Sequence, residues 1–300
     1  MEKKRIAWIG LGKMGLPLAG RLLAAGYEVV AYDPLADQIQ KLVGRGGEGA
    51  PSARDAAIGS DFIFTMVTND KALEKATIGP NGALEGASRG TVLVDMGTHS
   101  PKTSSLVAQR ADEMDVAFLR APVSGTRMHA ADGTLTLFAS GPEEIYMRCL
   151  RIFNAFTTKA CWVGEGEEAR YLKLLHNAML GVISLMLSEA LAFGQKGGLG
   201  LSQMLDVLND SVVSSPVIGY KTEALKQRTF DLTFTATQMA KDLDLALSAA
   251  GQMDVPMPLT AMVRQFMGAM AATGRGEEDF FAVLKLMEEM AGVDLPQRHA

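Results

Sequence analysis

The feature that most constrains this chain is a glycine-rich turn set between a strand-like run and a helix-like one. Arg5–Ile9 has the apolar character of a buried strand, Gly10-Leu11-Gly12-Lys13-Met14-Gly15 follows, and residues 16–25 then carry helical spacing that stops at Gly26. In a strand–turn–helix of this kind Gly10 permits the tight turn, Gly12 lets backbone N–H groups approach a pyrophosphate, and Gly15 lets helix and strand pack closely. The helix N-terminus adds partial positive charge where that anion would lie. A second strand-like run, Glu28–Tyr32, ends at Asp33. A carboxylate there accepts hydrogen bonds from adenosine ribose hydroxyls and repels a 2′-phosphate, so the expected cofactor is NAD rather than NADP. The plainer reading of Asp33 is a turn residue before Pro34.

Short β-type runs at 61–66, 91–95, 116–119, 134–138 and 160–163 alternate with helical stretches. That alternation predicts a parallel sheet with crossover helices, an α/β Rossmann-like N-terminal domain. Ligands bind at the carboxyl ends of such strands. Two of those ends carry Met66-Val67-Thr68-Asn69 and Gly97-Thr98-His99-Ser100-Pro101. Ser100 reads as an N-cap with Pro101 at the first helical position, whereas the Thr98 hydroxyl is expected over the cofactor crevice, with Met66, Val67 and Thr68 beside it. A third end, Arg120-Ala121-Pro122-Val123-Ser124-Gly125-Thr126, offers a hydroxyl and successive unhindered N–H groups. Such a group suits a carboxylate, and the alternative is an ordinary Ser-Gly turn.

Residues 167–196 contain no proline and are apolar on nearly every side, which predicts a buried helix. The stretch is long enough to be mistaken for a membrane span. Positions 173, 177, 181, 184 and 188 advance by three or four and share one face, reading Lys, Asn, Gly, Ser, Ser. A lysine in such a setting must pair, reach water or give up its charge; taken alone, Lys173 reads as a solvated end residue. Beyond the helix, stretches at 202–209, 236–250, 259–273 and 279–290 predict an all-α C-terminal domain, punctuated by Pro256, Pro258, Gly274 and Gly276. Residues 231–234 lead into the helix carrying Lys241 and Asp242, and the tail after Leu295 is expected to be loose. The domains are therefore expected at 1–164, 165–196 (a long central helix) and 197–300.

A net charge of −5 without a basic block gives nucleic acid no electrostatic purchase. The two cysteines, Cys149 and Cys161, have neither metal nor redox spacing, so no metal is expected and a reducing compartment fits. The first residues show no signal-peptide or transit pattern, which makes a cytoplasmic protein without a membrane partner the expectation. The abundant methionines are expected to fill helix cores. Apolar surface on the helical domain is expected to support a homodimer or homotetramer.

Four motifs then occur in a telling order: Gly10-Leu11-Gly12-Lys13-Met14-Gly15-Leu16-Pro17-Leu18-Ala19, Ala121-Pro122-Val123-Ser124-Gly125, Lys173-Leu174-Leu175-His176-Asn177 and Lys241-Asp242-Leu243-Asp244-Leu245-Ala246. Over about residues 5 to 290 the chain resembles the β-hydroxyacid dehydrogenases. That family includes 3-hydroxyisobutyrate dehydrogenase, tartronate semialdehyde reductase and, more distantly, 6-phosphogluconate dehydrogenase. The resemblance implies a Rossmann-like domain, a connecting helix and an all-helical domain, with substrate held where the domains meet. It implies NAD(P)-dependent hydride transfer between a small β-hydroxyacid and its semialdehyde or keto acid. It implies Lys173 as general acid/base, Asn177, Ser124 and Gly125 as substrate-binding residues, and Lys241 at the nicotinamide end. The chemistry is coherent: the nicotinamide takes the hydride, and a lysine pushed toward its neutral form accepts the hydroxyl proton.

Several positions depart from the family pattern. Arg120 stands in place of a common aspartate, Thr126 and His129 replace glycines, and His176 replaces an asparagine. The run 164–172 is unlike the family's glycine-rich approach, so Arg170 competes on spacing with Lys173. Lys173 is preferred because it alone leaves Asn177 at i+4 and because arginine is not a usable base. Thr126, His129, His176 and Arg120 or Arg127 are candidate contacts for a second polar or anionic substrate group, the alternative for each being a surface or structural role. Two other readings stay open: an imine reductase-like NADPH enzyme, and a non-catalytic dinucleotide-binding scaffold.

Overall fold

Alternation decides the first half of the molecule. In β1 (Arg5–Ile9), Ile6 and Trp8 face one side, Ala7 and Ile9 the other, and all four are buried. A strand covered on both faces belongs inside a sheet sandwiched by helices. The computed structural model, which describes residues 4–230 and 234–293, shows this sheet. It adds β2 (Glu28–Tyr32), β3 (Glu48–Gly49), β4 (Phe62–Thr65), β5 (Val92–Asp95) and β6 (Ala117–Arg120). The order is β3-β2-β1-β4-β5-β6 and every pairing is parallel. Helices such as Gly15–Ala24, Asp70–Thr77 and Pro101–Asp112 form the crossovers. Ser100 caps the last of these by accepting the Thr103 N–H at 3.1 Å, with Pro101 opening the helix as its sequence predicts.

The runs near 134–138 and 160–163 do not join this sheet. They become β8 (Leu135–Ala139) and β9 (Thr157–Trp162), which with the two-residue β7 (Val123–Ser124) make a separate sheet ordered β7-β8-β9. β7 and β8 are antiparallel while β8 and β9 are parallel. A parallel crossover needs a dozen or more residues, and the short link from Ser124 to Leu135 leaves only an antiparallel return. Arg120 and Ser140 exchange two backbone hydrogen bonds of 2.9 Å, tying this sheet to the end of β6. Trp8 stacks on Phe64 at 5.4 Å, and Phe64 meets Phe153 edge-on at 6.3 Å. Cys149 lies in the same core, where burial pushes its thiol up to about 12.

The long helix runs Glu168–Lys196, and the division between two compact units falls inside it, after Leu174. The second unit is helical: Leu201–Asn209, Pro216–Gln227, Ala236–Gly251, Pro258–Ala272, a 3-10 turn at Phe280–Ala282, and Val283–Met290. Its core gathers Leu191, Leu205, Met239, Leu243, Met267 and Phe281. By length and composition the long helix could cross a bilayer, but Leu185, Leu187 and Leu191 are buried in this core. Its polar face is folded back on itself, the Ser184 and Ser188 hydroxyls each donating to a carbonyl of the same helix at 2.7 Å. The helix Pro216–Gln227 was not foreseen, although Ser215 and Pro216 repeat the Ser-Pro start of Pro101–Asp112. The methionine expectation holds only in part: Met204, Met239, Met267 and Met270 are buried, whereas Met128, Met147, Met179 and Met186 are exposed. Asp231–Thr233 and the tail after Leu295 lie outside the described residues.

Glu288 is fully buried and both its oxygens accept from the Arg228 guanidinium, at 2.8 and 2.5 Å. Removing one partner of such a pair strands a charge without water. Arg228→Ala is expected to cost about 3–5 kcal/mol in urea unfolding, most of it recovered when Glu288→Leu is added.

Candidate active site

The chain leaves β1 toward β2 on one side and reaches β4 on the other. Their carboxyl ends therefore open a crevice at the switch point of the sheet. The glycine turn lies at the end of β1. Gly10 takes φ +96°, and a Cβ there would sit 2.5 Å from the Met66 carbonyl oxygen. At Gly15 a Cβ would come within 2.0 Å of the Gly10 carbonyl oxygen, so helix and turn touch backbone to backbone. A Cβ on the exposed Gly12 would meet nothing within 4 Å. The turn thus has open space above its middle glycine, the shape a pyrophosphate requires. Lys13 is exposed and Met14 half-buried beside it.

Asp33, at the end of β2, is 8% exposed. Its Oδ2 accepts the Leu11 N–H at 2.7 Å and its Oδ1 the Leu35 N–H at 2.8 Å. The carboxylate therefore holds the glycine turn itself, a structural task beyond the one read from sequence, and each oxygen keeps a second lone pair for a ligand. At the end of β4, Met66 and Val67 are half-buried and Thr68 is exposed. Thr98, in the loop after β5, is half-buried.

Behind that loop lies a cluster that sequence reading missed. Asp95, fully buried, accepts from Thr65 Oγ1 at 2.6 Å and the Gly97 N–H at 3.3 Å on Oδ1. On Oδ2 it meets His99 Nδ1 at 2.7 Å and the Arg170 guanidinium. Burial alone would raise the Asp95 carboxyl; the charges of His99 and Arg170, with the hydrogen bonds from His99 and Thr65, outweigh it and hold the group well below the usual carboxylate range. Arg170, the competitor of Lys173 on spacing, is thereby fully engaged in the interior. Its residue type gave no sign of this, because the partner stands far away in the chain.

After β6 comes the loop that the sequence offered as a carboxylate site. Ser124 pairs with Thr136 across β7 and β8, and Gly125 follows at φ +134°. A Cβ on Gly125 would lie 2.5 Å from Leu135, so only glycine fits. Thr126 caps the short helix Arg127–Asp132 together with His129, whose Nδ1 accepts the Thr126 N–H at 3.2 Å and lies 2.8 Å from its hydroxyl. His129 thus has a local structural partner. Arg120 is buried against Phe118, its charge answered by Glu167 through Nε at 3.0 Å and a second, shorter bond. Arg127 is exposed.

Lys173 is half-buried at the last positions of the first unit. In the second unit Asn177 is buried and its Nδ2 donates to Asp242 Oδ2 at 2.5 Å. His176 Nδ1 lies 3.1 Å from Asn177 Oδ1. Lys241 Nζ sits 2.8 Å from the other Asp242 oxygen, an ion pair without hydrogen-bond alignment. The structure therefore brings Asn177 and Lys241 together on a buried carboxylate, with His176 against Asn177. Sequence reading named Asp242 beside Lys241 and within the fourth motif but gave it no role of its own.

Residues 5–164 match the NAD-binding domain of 6-phosphogluconate dehydrogenase, and residues 167–287 match the NAD-binding domain of NADP-dependent 3-hydroxyisobutyrate dehydrogenase. The chain belongs to the β-hydroxyacid dehydrogenase family. Among characterised relatives, 2-(hydroxymethyl)glutarate dehydrogenase of Eubacterium barkeri is 34% identical over 98% of this chain and 99% of its own. The 2-hydroxy-3-oxopropionate reductase of Escherichia coli is 30% identical over 96% and 98%. The structure of Mycobacterium tuberculosis 3-hydroxyisobutyrate dehydrogenase with L-serine superposes with a TM-score of 0.88 at 25% identity, covering 95% of this chain and 99% of that one. Like these relatives, this β-hydroxyacid dehydrogenase is an NAD(P)-dependent oxidoreductase acting on hydroxyl groups of small molecules.

Because the folded Asp95 has a depressed pKa, its contribution to stability is present above its unfolded value of 3.8 and is lost as pH falls through the folded value. Asp95→Asn is therefore expected to be clearly less stable than the parent at pH 7. The gap should narrow as pH is lowered well below 3.8, read by thermal melts across a pH series. Gly15→Ala is expected to lower the melting temperature strongly and Gly12→Ala hardly at all, in keeping with the space each Cβ would find.

Proposed function

We propose that the protein interconverts a small β-hydroxyacid and its semialdehyde or keto acid, with Lys173 as general acid/base and NAD as its preferred cofactor. One observation carries the reading. Of the two cations near the start of the long helix, Arg170 is spent on a buried carboxylate, whereas Lys173 is half-buried one turn before Asn177. Residues four apart share a helix face, so both can address one substrate.

In this reading the Ser124 hydroxyl and the N–H groups about Gly125 hold the substrate carboxylate, and Asn177, oriented by Asp242, holds the reacting hydroxyl. The neutral Lys173 amine accepts the hydroxyl proton as hydride leaves the carbinol carbon; in reduction its ammonium returns a proton to the nascent alkoxide. The nicotinamide, when bound, supplies the hydride acceptor or donor. Gly10, Leu11, Gly12, Lys13, Met14 and Gly15 cradle the pyrophosphate, Asp33 the adenosine ribose, Met66, Val67, Thr68 and Thr98 line its path, and Lys241 stands at the nicotinamide end. NAD is favoured because residues 33–37, Asp-Pro-Leu-Ala-Asp, put two acids and no cation near a 2′-phosphate. Lys173 and Asp33 together also weigh against an imine reductase-like NADPH enzyme. With Arg120 answered by Glu167 and His129 by Thr126, a second anionic group on the substrate is left to Arg127 and His176. A dicarboxylic hydroxyacid such as 2-(hydroxymethyl)glutarate is a natural first candidate given the relative of that name.

Turnover of 2-(hydroxymethyl)glutarate, 3-hydroxyisobutyrate, L-serine and 2-hydroxy-3-oxopropionate with NAD and NADP, followed by nicotinamide absorbance, tests the reading. Lys173→Ala is expected to lower kcat by about 10²–10⁴-fold, the usual contribution of a general acid/base; a change of only a few-fold removes Lys173 from the role. Gly12→Ala is expected to weaken NAD binding by about tenfold or more, because its side chain fills the space meant for the pyrophosphate.

A further inference from the structure

Arg170 is 1% exposed yet makes three separate attachments. Its Nε donates to Ser104 Oγ at 3.1 Å, one Nη to the Gly97 carbonyl at 2.8 Å, and the other to Asp95 Oδ2. Each partner belongs to a different piece of the first unit. Ser104 lies in the helix Pro101–Asp112, Gly97 in the loop that carries Thr98, and Asp95 at the end of β5. The Gly97 peptide is gripped on both sides, its N–H by Asp95 and its carbonyl by Arg170. Nor does the loop have slack: a Cβ on Gly97 would lie 2.2 Å from the His99 ring and 2.9 Å from the Val67 carbonyl oxygen. His99, fully buried, closes the remaining side of the carboxylate, and its Nε2 has no hydrogen-bond partner among the described residues. Lys173 follows Arg170 by three residues on the same side of the helix.

We propose that Arg170 is a positioning residue for the reaction, fastening both the Thr98 loop and the first turn of the long helix to the end of β5, and so fixing where Lys173 presents its amine. The inference rests on Lys173 being the acid/base. A guanidinium is suited to the task because its Nε and two Nη spread donors over a planar fork and so reach three separated acceptors, whereas the three donors of an ammonium all leave one nitrogen. Reacting groups need near-attack geometry, and a displacement of about 1 Å costs about 10²-fold in rate. Arg170 touches no reacting atom. It acts through the two segments it joins.

Arg170→Lys keeps a cation beside Asp95 but cannot hold Ser104, Gly97 and Asp95 together. The expected result is a fall in kcat of about 30- to 100-fold, with the KM for the hydroxyacid changed by less than about fivefold. The primary deuterium isotope effect on kcat, measured with carbinol-deuterated substrate, is expected to rise as hydride transfer becomes the slow step. A mere loss of folded enzyme scales kcat and leaves the isotope effect where it was. The double variant Asp95→Asn/Arg170→Gln removes the carboxylate together with the guanidinium, and is expected to melt closer to the parent than Arg170→Gln alone while showing the same loss of kcat and the same raised isotope effect. A folded variant of either kind with kcat within about threefold of the parent overturns the inference. So does a fall in kcat at an unchanged isotope effect, and so does failure of both variants to fold, which assigns the cluster to stability alone. Lys173→Ala separates the two layers. If it is inactive while Arg170→Lys is fully active, only the positioning role is lost; if it keeps its activity, the acid/base reading beneath fails.

Discussion

A carboxylate sealed from water keeps its charge only if the protein answers it, and in the first unit that requirement falls on Asp95. The side chain stands at the end of β5 with no exposure, and its donors come from four directions: Thr65 closing β4, the Gly97 peptide, the His99 ring and the Arg170 guanidinium. The desolvation cost of such a group is several kcal/mol, so no donor can be withdrawn without consequence. A single oxygen pair thus decides where the end of β5, the loop carrying Thr98 and the first turn of a 29-residue helix stand with respect to one another.

Other contacts confirm that the helix start is held rather than merely placed. Ser140 Oγ accepts the Ala169 N–H at 3.1 Å and donates to the Gly166 carbonyl at 2.8 Å, while Glu168 takes the Gly166 N–H at 2.7 Å. Glu167 adds its pairing with Arg120. The first N–H groups of a helix have no partners within it; here that of Ala169 is taken by Ser140, just past β8, and those of Arg170 and Tyr171 by the Glu167 carbonyl. The second unit repeats the logic on a smaller scale, where buried Asp242 orders the amide of Asn177 and the amine of Lys241. In both units a buried acid fixes the side chains around it.

What could be read in advance followed locality. The glycine turn, Asp33 and the parallel strands announce themselves because period, punctuation and residue type all speak within a few positions. The Ser-Pro start of Pro101–Asp112 is legible for the same reason, and that of Pro216–Gln227 was equally so. Strand runs 134–138 and 160–163 were recognisable as strands, but nothing within them tells which neighbour they will take. The bond from Arg170 to Asp95 spans 75 positions and leaves no trace in either segment. Arg120 and His129 invited a functional reading as departures from a family pattern; the structure gives both a nearby structural partner in Glu167 and Thr126.

The burial of Cys149 has a practical side. A thiol reacts through its thiolate, and this one is both walled in by the aromatic core and held in its protonated form by that burial. It will ignore alkylating reagents for as long as the sheet and the helix Glu143–Phe153 remain together. Its slow capture under native conditions therefore serves as an internal clock for the opening of the dinucleotide-binding half, present in the natural sequence and requiring no engineered probe.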